Sequence, residues 1–172
     1  SSQHYQPGAL YVVATPIGNL ADITLRALHV LHLADTIACE DTRHTQALLR
    51  AYGIDKSAAQ LLAVHEHNET QASEELVQRM VKGQRVAYVS DAGTPAISDP
   101  GARLVAAVAA AGYRVMPLPG ASSVTTLLSA AGVMGEGGFV FVGFLPSKAT
   151  ERQRAIEILM GESRAIVLLE AP

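Results

Sequence analysis

The stretch from Val86 to Gly101, Val-Ala-Tyr-Val-Ser-Asp-Ala-Gly-Thr-Pro-Ala-Ile-Ser-Asp-Pro-Gly, constrains the fold of this chain more than any other. It opens as a short apolar strand, Val86 to Val89, and breaks into turn-forming residues at Ser90, Asp91, Gly93, Thr94 and Pro95. An Ala-rich segment from Arg103 to Ala111 follows, apolar at Leu104, Val105 and Val108 and trailed by Gly112, which is the pattern of a short helix with its terminating glycine. Open α/β sheets bind ligands where a strand leaves through such a loop into a helix, because unpaired N–H groups collect at the strand's carboxyl end. An ordinary connection of this kind needs about two to six residues. This loop is longer and holds two Asp and two Pro, so it reads as the floor of a small-molecule site.

The rest of the chain repeats the alternation of strand and helix. Strands are expected at Leu10–Ala14, Thr36–Glu40, Leu61–Val64 and Tyr113–Leu118. Between them lie helices from Asp22 or Thr24 to Leu33, from Asp41 or Thr42 to Ala51 with Gly53 behind, and from Asn68 to Val81 with Gly83 behind. Asn68 and Gln71 have the spacing of a capping box. The strands are nearly continuous apolar runs, as a parallel sheet covered on both faces requires. Pro117-Leu118-Pro119-Gly120 reads as a hinge. Beyond it, a helix capped by Ser122 or Ser123, a strand Gly138–Leu145, a helix Arg152–Met160 and a strand Ala165–Leu169 form the start of a second α/β lobe. The expected organisation is a trimmed or disordered end at 1–9, an N-terminal α/β domain at 10–119 with a mostly parallel sheet, and an incomplete C-terminal α/β domain at 120–172.

With 49% hydrophobic and 17% charged residues, the chain is rich enough in apolar groups for a large core. No apolar run reaches the roughly 18 residues of a membrane span. The single cysteine, Cys39, falls in an apolar strand, which fits a buried side chain in a reducing cytoplasm. A net charge of −3 argues against coating nucleic acid by electrostatics alone and leaves room for a local basic patch.

The first strand is followed by Thr15-Pro16-Ile17-Gly18-Asn19, without a Gly-x-Gly-x-x-Gly, and there is no Walker-type Gly-Lys-Ser/Thr, so dinucleotide oxidoreductases and P-loop nucleotidases are excluded. What remains is a set of polar loops at strand ends: Thr15–Asn19, Asp91–Asp99 and the helix start at Ser122-Ser123. Helix N–H groups suit a carboxylate or a ribose, and a nearby Asp suits a cation or a hydroxyl, so a ligand with both carboxylate and positive charge would match. The run His65-Glu66-His67 has no third histidine at ligand spacing and only one cysteine to draw on, so it reads as a solvated loop and no metal is expected.

Taken in order, Leu10 to Leu20, Glu40-Asp41-Thr42-Arg43-His44-Thr45, Ser90 to Gly101, Pro117 to Ser123 and Gly143-Phe144-Leu145-Pro146 resemble the tetrapyrrole methylase superfamily over nearly the whole chain. Within it, the segments are most similar to the branch that methylates ribosomal RNA. The resemblance implies two α/β lobes with S-adenosylmethionine in the cleft between them. Carried onto this chain, the cofactor contacts are Pro16, Ile17, Asp91, Ala92, Gly93, Thr94, Ser122, Ser123 and Leu145. The implied reaction is 2′-O-methylation of a cytidine ribose in the decoding centre of 16S rRNA, by a cytoplasmic enzyme that forms a homodimer and acts on the small ribosomal subunit. The alternatives are methylation of a corrinoid or other small substrate, methylation of a modified histidine on an elongation factor, and a cofactor-binding module without activity.

Methyl transfer from a sulfonium is an in-line displacement in which holding the attacking oxygen in place and excluding water are the protein's main tasks. A general base would contribute about two to four orders of magnitude. The candidates are His44, His65 and Asp99, with His67 and Asp41 behind them, and no one of them is singled out. Arg43 and His44, at a helix start just past a strand end, are candidate contacts for RNA phosphate.

Overall fold

The apolar runs pair as parallel strands in a computed structural model of the chain, which describes residues 4–65, 67–98, 101–133 and 137–170. The chain divides into two units, Ser1–Ser122 and Ser123–Pro172. In the first, β1 (Ala9–Val13), β2 (Thr36–Cys39), β3 (Leu61–Ala63), β4 (Val86–Val89) and β5 (Arg114–Leu118) form one sheet in the order β3-β2-β4-β1-β5. Every pairing is parallel, with Leu10 opposite Val86 and Val115, and Thr36 also opposite Val86.

Alternating side chains of the central strands serve opposite faces of the sheet. Tyr11, Val13, Ala87 and Val89 pack with Ala27, Val30 and Leu31 of α1 (Leu25–Leu33) and Leu49 of α2 (Thr42–Ala51). Leu10, Val12, Val86 and Tyr88 pack with Leu76 and Met80 of α3 (Glu69–Val81) and Leu104 and Val108 of α4 (Gly101–Ala110). Two helices thus cover each face. Right-handed crossovers demand this arrangement, since α1 and α2 step one way along the sheet while α3 and α4 step back.

Local chemistry explains most element boundaries. Thr24 caps α1 by accepting the Ala27 N–H at 3.0 Å, and Asp41 caps α2 by accepting those of Arg43 and His44 at 2.8 and 3.3 Å. The capping box at Asn68 does not form. Its Oδ1 turns back to accept the His65 N–H at 2.8 Å and its amide donates to the Ala63 carbonyl at 3.0 Å, so Asn68 closes the preceding loop instead. Nor do Pro117 and Leu118 belong to a hinge. They lie inside β5, Pro117 opposite Val12, where an edge strand tolerates the missing donor. The fourth helix starts earlier than its apolar residues indicate, at Gly101 instead of Arg103.

The second unit holds α5 (Ser123–Ala130), β6 (Phe139–Phe144), α6 (Ala149–Leu159) and β7 (Ala165–Leu169). Strands β6 and β7 pair in parallel, with an irregularity between Phe141 and Gly143. Among the described residues no helix is long and apolar enough to cross a membrane.

Gly101 packs directly on the Tyr88 ring, and a Cβ built there would overlap that ring. Replacing glycine by alanine inside a helix is ordinarily favourable by about 1 kcal/mol. Here Gly101→Ala is expected to lower stability by about 1–3 kcal/mol, the range for overpacking a filled core, as read by urea unfolding.

Candidate active site

Strands β1 and β4 are neighbours, yet the chain leaving β1 goes to α1 on one face and the chain leaving β4 goes to α4 on the other. Diverging exits of this kind open a crevice beyond the carboxyl ends of the two strands. A pair of backbone bonds spans it. Thr15 N donates to Gly93 O and Gly93 N donates to Thr15 O, each at 3.0 Å, making an isolated antiparallel bridge between the two loops.

Side chains reinforce the bridge. The buried Thr15 hydroxyl donates to the Ser90 carbonyl at 3.1 Å, and the Ser90 hydroxyl reaches the Gly93 carbonyl at 3.1 Å. Thr94 Oγ1 donates to Ala121 O at 2.9 Å, which ties the loop after β4 to the segment after β5. Gly120 presses on the end of β1, where an added Cβ would lie 2.7 Å from that of Ala14. Three strand-end loops therefore meet at one place. Gly93 adopts φ +82°, and a Cβ there would come within 3.2 Å of Ile17 Cγ2 and 3.8 Å of Ala121 O, so both backbone conformation and space require glycine. Ala96, three residues on, holds φ +63°, a left-handed conformation that costs a non-glycine residue about 1 kcal/mol.

Electrostatics at the same edge is set by carboxylates. Asp91 is half-buried, and its Oδ1 is sealed from solvent with no hydrogen-bond partner. Its backbone carbonyl contacts the His44 Nε2 at 3.2 Å. Cys39, at the end of β2, has its thiol pKa pushed up to about 11, chiefly by burial and further by the charges of Asp91 and Asp41, against a Thr45 hydrogen bond that lowers it. Asp41, half-buried, titrates below the ordinary carboxylate range because two helix N–H groups donate to it.

A model of the tetrapyrrole (corrin/porphyrin) methylases matches residues 9–172. The chain belongs to this family. It is 51% identical over 164 residues to a protein from Escherichia coli O157:H7 and 53% identical over 165 residues to one from Neisseria meningitidis serogroup B, both named ribosomal RNA small subunit methyltransferase I. These matches cover 95% and 96% of this chain but 56% and 55% of the relatives, so the chain spans about half the length of the curated relatives it matches. Uroporphyrin-III-C-methyltransferase from Thermus thermophilus shares the fold, with a TM-score of 0.58 and 24% identity over 80% of this chain and 60% of that one.

In this tetrapyrrole methylase, Pro16, Ile17, Asp91, Ala92, Gly93 and Thr94 all lie in the two bridged loops, and Ser122 ends the first unit just past Ala121. Ser123 opens α5 and Leu145 follows β6, both within the second unit. His44 sits at the crevice with its ring tied to Asp91, which makes it a link between loops. His65 and His67 are exposed beyond β3, their rings 6.3 Å apart. Asp99 lies outside the described residues. Among the described residues, no group of three His, Cys, Asp or Glu is placed to hold a metal ion.

The sequence reading missed what holds the loops: the bonds made by Thr15, Ser90 and Thr94, the 2.6 Å bond from the Tyr52 hydroxyl to Leu20 O that steadies the loop after β1, and the left-handed Ala96. A hydroxyl residue directly after an apolar strand, as at Thr15 and Ser90, was the available signal.

Two outcomes follow for this site. Thr15→Val, which keeps shape and removes the donor, should lower stability by about 1–2 kcal/mol in urea unfolding, and Thr15→Ser should retain the hydroxyl bond. Cys39 should be inert to thiol reagents in the native chain at pH 8. A thiol whose folded pKa is raised adds stability that is whole below its unfolded pKa, near 9, and is lost as pH rises through about 11. The fall in stability across that alkaline window should therefore be smaller in Cys39→Ala, as measured by urea unfolding at stepped pH.

Proposed function

We propose that the protein transfers a methyl group from S-adenosylmethionine to the ribose 2′-hydroxyl of a decoding-centre cytidine in 16S rRNA, acting on the small ribosomal subunit. The observation that carries this reading is identity of 51% and 53%, across almost the whole chain, to two proteins that bear the name of a ribosomal RNA small subunit methyltransferase. The same reading makes the whole protein a cytoplasmic homodimer.

The first unit fits the cofactor. Gly93 leaves a cradle that a Cβ would fill against Ile17, and Asp91 offers a sealed carboxylate oxygen with no donor. Pro16, Ile17 and the Asp91–Thr94 backbone would hold it, with Ser122 near them. Bound there, S-adenosylmethionine supplies an electrophilic methyl on a cationic sulfur.

With its carboxylate near that cation, Asp91 would contribute to binding the cofactor more than to the rate of transfer. Thr15, Gly93 and Thr94 fix the loop backbone, so the ligand meets a preorganised wall and water is kept from the reacting oxygen. His44 holds Asp91 in place through its ring.

The test is transfer of labelled methyl to small subunits lacking the modification, with a corrinoid precursor as the competing acceptor. Transfer to the subunits alone is expected, and transfer only to the precursor would overturn the assignment. In the whole protein, Gly93→Val should abolish cofactor binding in calorimetry without unfolding the chain. Asp91→Asn should weaken cofactor binding about ten-fold, the equivalent of about 1.4 kcal/mol, with kcat within about two-fold of wild type.

A further inference from the structure

Glu69 is the first residue of α3, and its carboxylate is almost completely buried, with 6% of the side chain exposed. A carboxylate in a first turn suits the helix macrodipole, which explains its place in the helix but not its burial. Its Oε2 pairs with Arg103 Nη1 at 3.6 Å, and its Oε1 is sealed from solvent with no donor. Burying a charge so incompletely matched is costly and calls for a reason.

Arg103 stands in the first turn of α4, and 83% of its side chain is exposed. Arg43 stands in the first turn of α2 on the other face of the sheet, 93% exposed and 3.7 Å from Asp41. Both are cations where the helix macrodipole disfavours a cation, by about 0.3–1 kcal/mol each. Each is held on one side by a carboxylate and free on the other, and the two flank the crevice from opposite faces at the carboxyl edge of the sheet. Helix stability does not account for the pair, whereas an anion with spaced charges does.

We propose that Arg103 contacts an RNA phosphate on the α4 side of the crevice, and that buried Glu69 is the positioning residue that holds its guanidinium there. The inference rests on the rRNA reading and deepens it by naming a docking contact opposite Arg43. Arg103 also borders a groove of about 390 Å³ between α3 and α4, lined further by Glu69, Ser73, Glu74, Val77 and Ala107. Glu74 makes the interior of that groove unsuited to an anion, so the phosphate meets the guanidinium at the outer rim. The contact with Glu69 Oε2 restrains a side chain that would otherwise lose rotamer freedom on binding RNA.

The experiment measures binding of a labelled single-stranded RNA carrying the decoding-centre sequence to the whole protein at several KCl concentrations, with cofactor affinity measured in parallel. Arg103→Ala should bind RNA roughly five-fold more weakly and reduce the slope of log K against log salt by about 0.7, the share of one phosphate on a single strand, with cofactor affinity unchanged. Arg103→Lys should restore most of the slope. Glu69→Gln should weaken binding less than Arg103→Ala does, and the double variant should be no weaker than Arg103→Ala alone, because Glu69 acts through Arg103.

Wild-type affinity and slope in Arg103→Ala overturn the proposal, and full additivity in the double variant overturns the positioning role. Should Glu69→Gln fail to fold, Arg103→Ala and Arg103→Glu at the exposed position decide the matter, the latter expected to bind at least ten-fold more weakly. Methyl transfer to subunits by the wild type with unaltered RNA binding in these variants would sink this contact alone. Absence of RNA binding by the wild type would sink both this contact and the rRNA reading.

Discussion

The reciprocal hydrogen bonds between Thr15 and Gly93 are the constraint on which the candidate site depends. Parallel strands that send their chains to opposite faces leave their exits free to splay, and a splayed crevice presents no fixed backbone to a ligand. Joining the loops directly at their bases removes that freedom. Only a residue tolerant of φ +82° with no Cβ can sit at the joint, which is why the position is glycine. The Thr15 hydroxyl then donates to the Ser90 carbonyl, and the Ser90 hydroxyl adds a second donor at the Gly93 carbonyl that already accepts the Thr15 N–H.

The elements of the first unit were legible in the sequence because each strand is an apolar run bounded by turn chemistry, and because Thr24 and Asp41 cap their helices with their own side chains. The position of the site was legible for a related reason. A loop too long for its connection and too rich in Asp, Gly and Pro for a plain turn marks itself. What was not legible depends on residues far apart in the chain. Asn68 has the chemistry of a cap and spends it on Ala63 and His65, a choice fixed by where β3 ends. Pro117 carries two local readings, the end of a strand from Tyr113 to Leu118 and the start of a hinge, and only the place of β5 at the sheet's edge decides for the strand. Gly101 looks like a loop residue, and only the buried Tyr88 ring shows why it belongs to a helix.

Lys56 shows the same limit on the other side of the sheet. Its ammonium is buried and donates to His32 O at 2.9 Å and Ala34 O at 2.6 Å, satisfying carbonyls at the end of α1. Burial lowers its pKa from the ordinary lysine value. The sequence places Lys56 in a polar stretch and says nothing of carbonyls more than twenty residues earlier in the chain. Charge count is a poor guide to such groups, since a buried cation and a solvated one contribute equally to it.

That point bears on the net charge of −3, which taken alone argues against a polyanionic partner. The sum conceals a separation. Asp91 and Asp41 set a negative field at the strand ends, strong enough to add to the raised pKa of Cys39. The arginines of α2 and α4 lie in the helix first turns that lead away from those ends, each with its guanidinium exposed. A cationic small molecule and an anionic polymer make opposite demands, and one uniform patch cannot meet both. At α4 the buried Glu69 lies beneath the exposed Arg103, and that order meets them together. It keeps the guanidinium outward, toward a polymer, and shields the inner rim from positive charge that would repel a sulfonium. The order at α4, carboxylate buried and arginine exposed, thus has a physical use for a protein whose two proposed ligands carry charges of opposite sign.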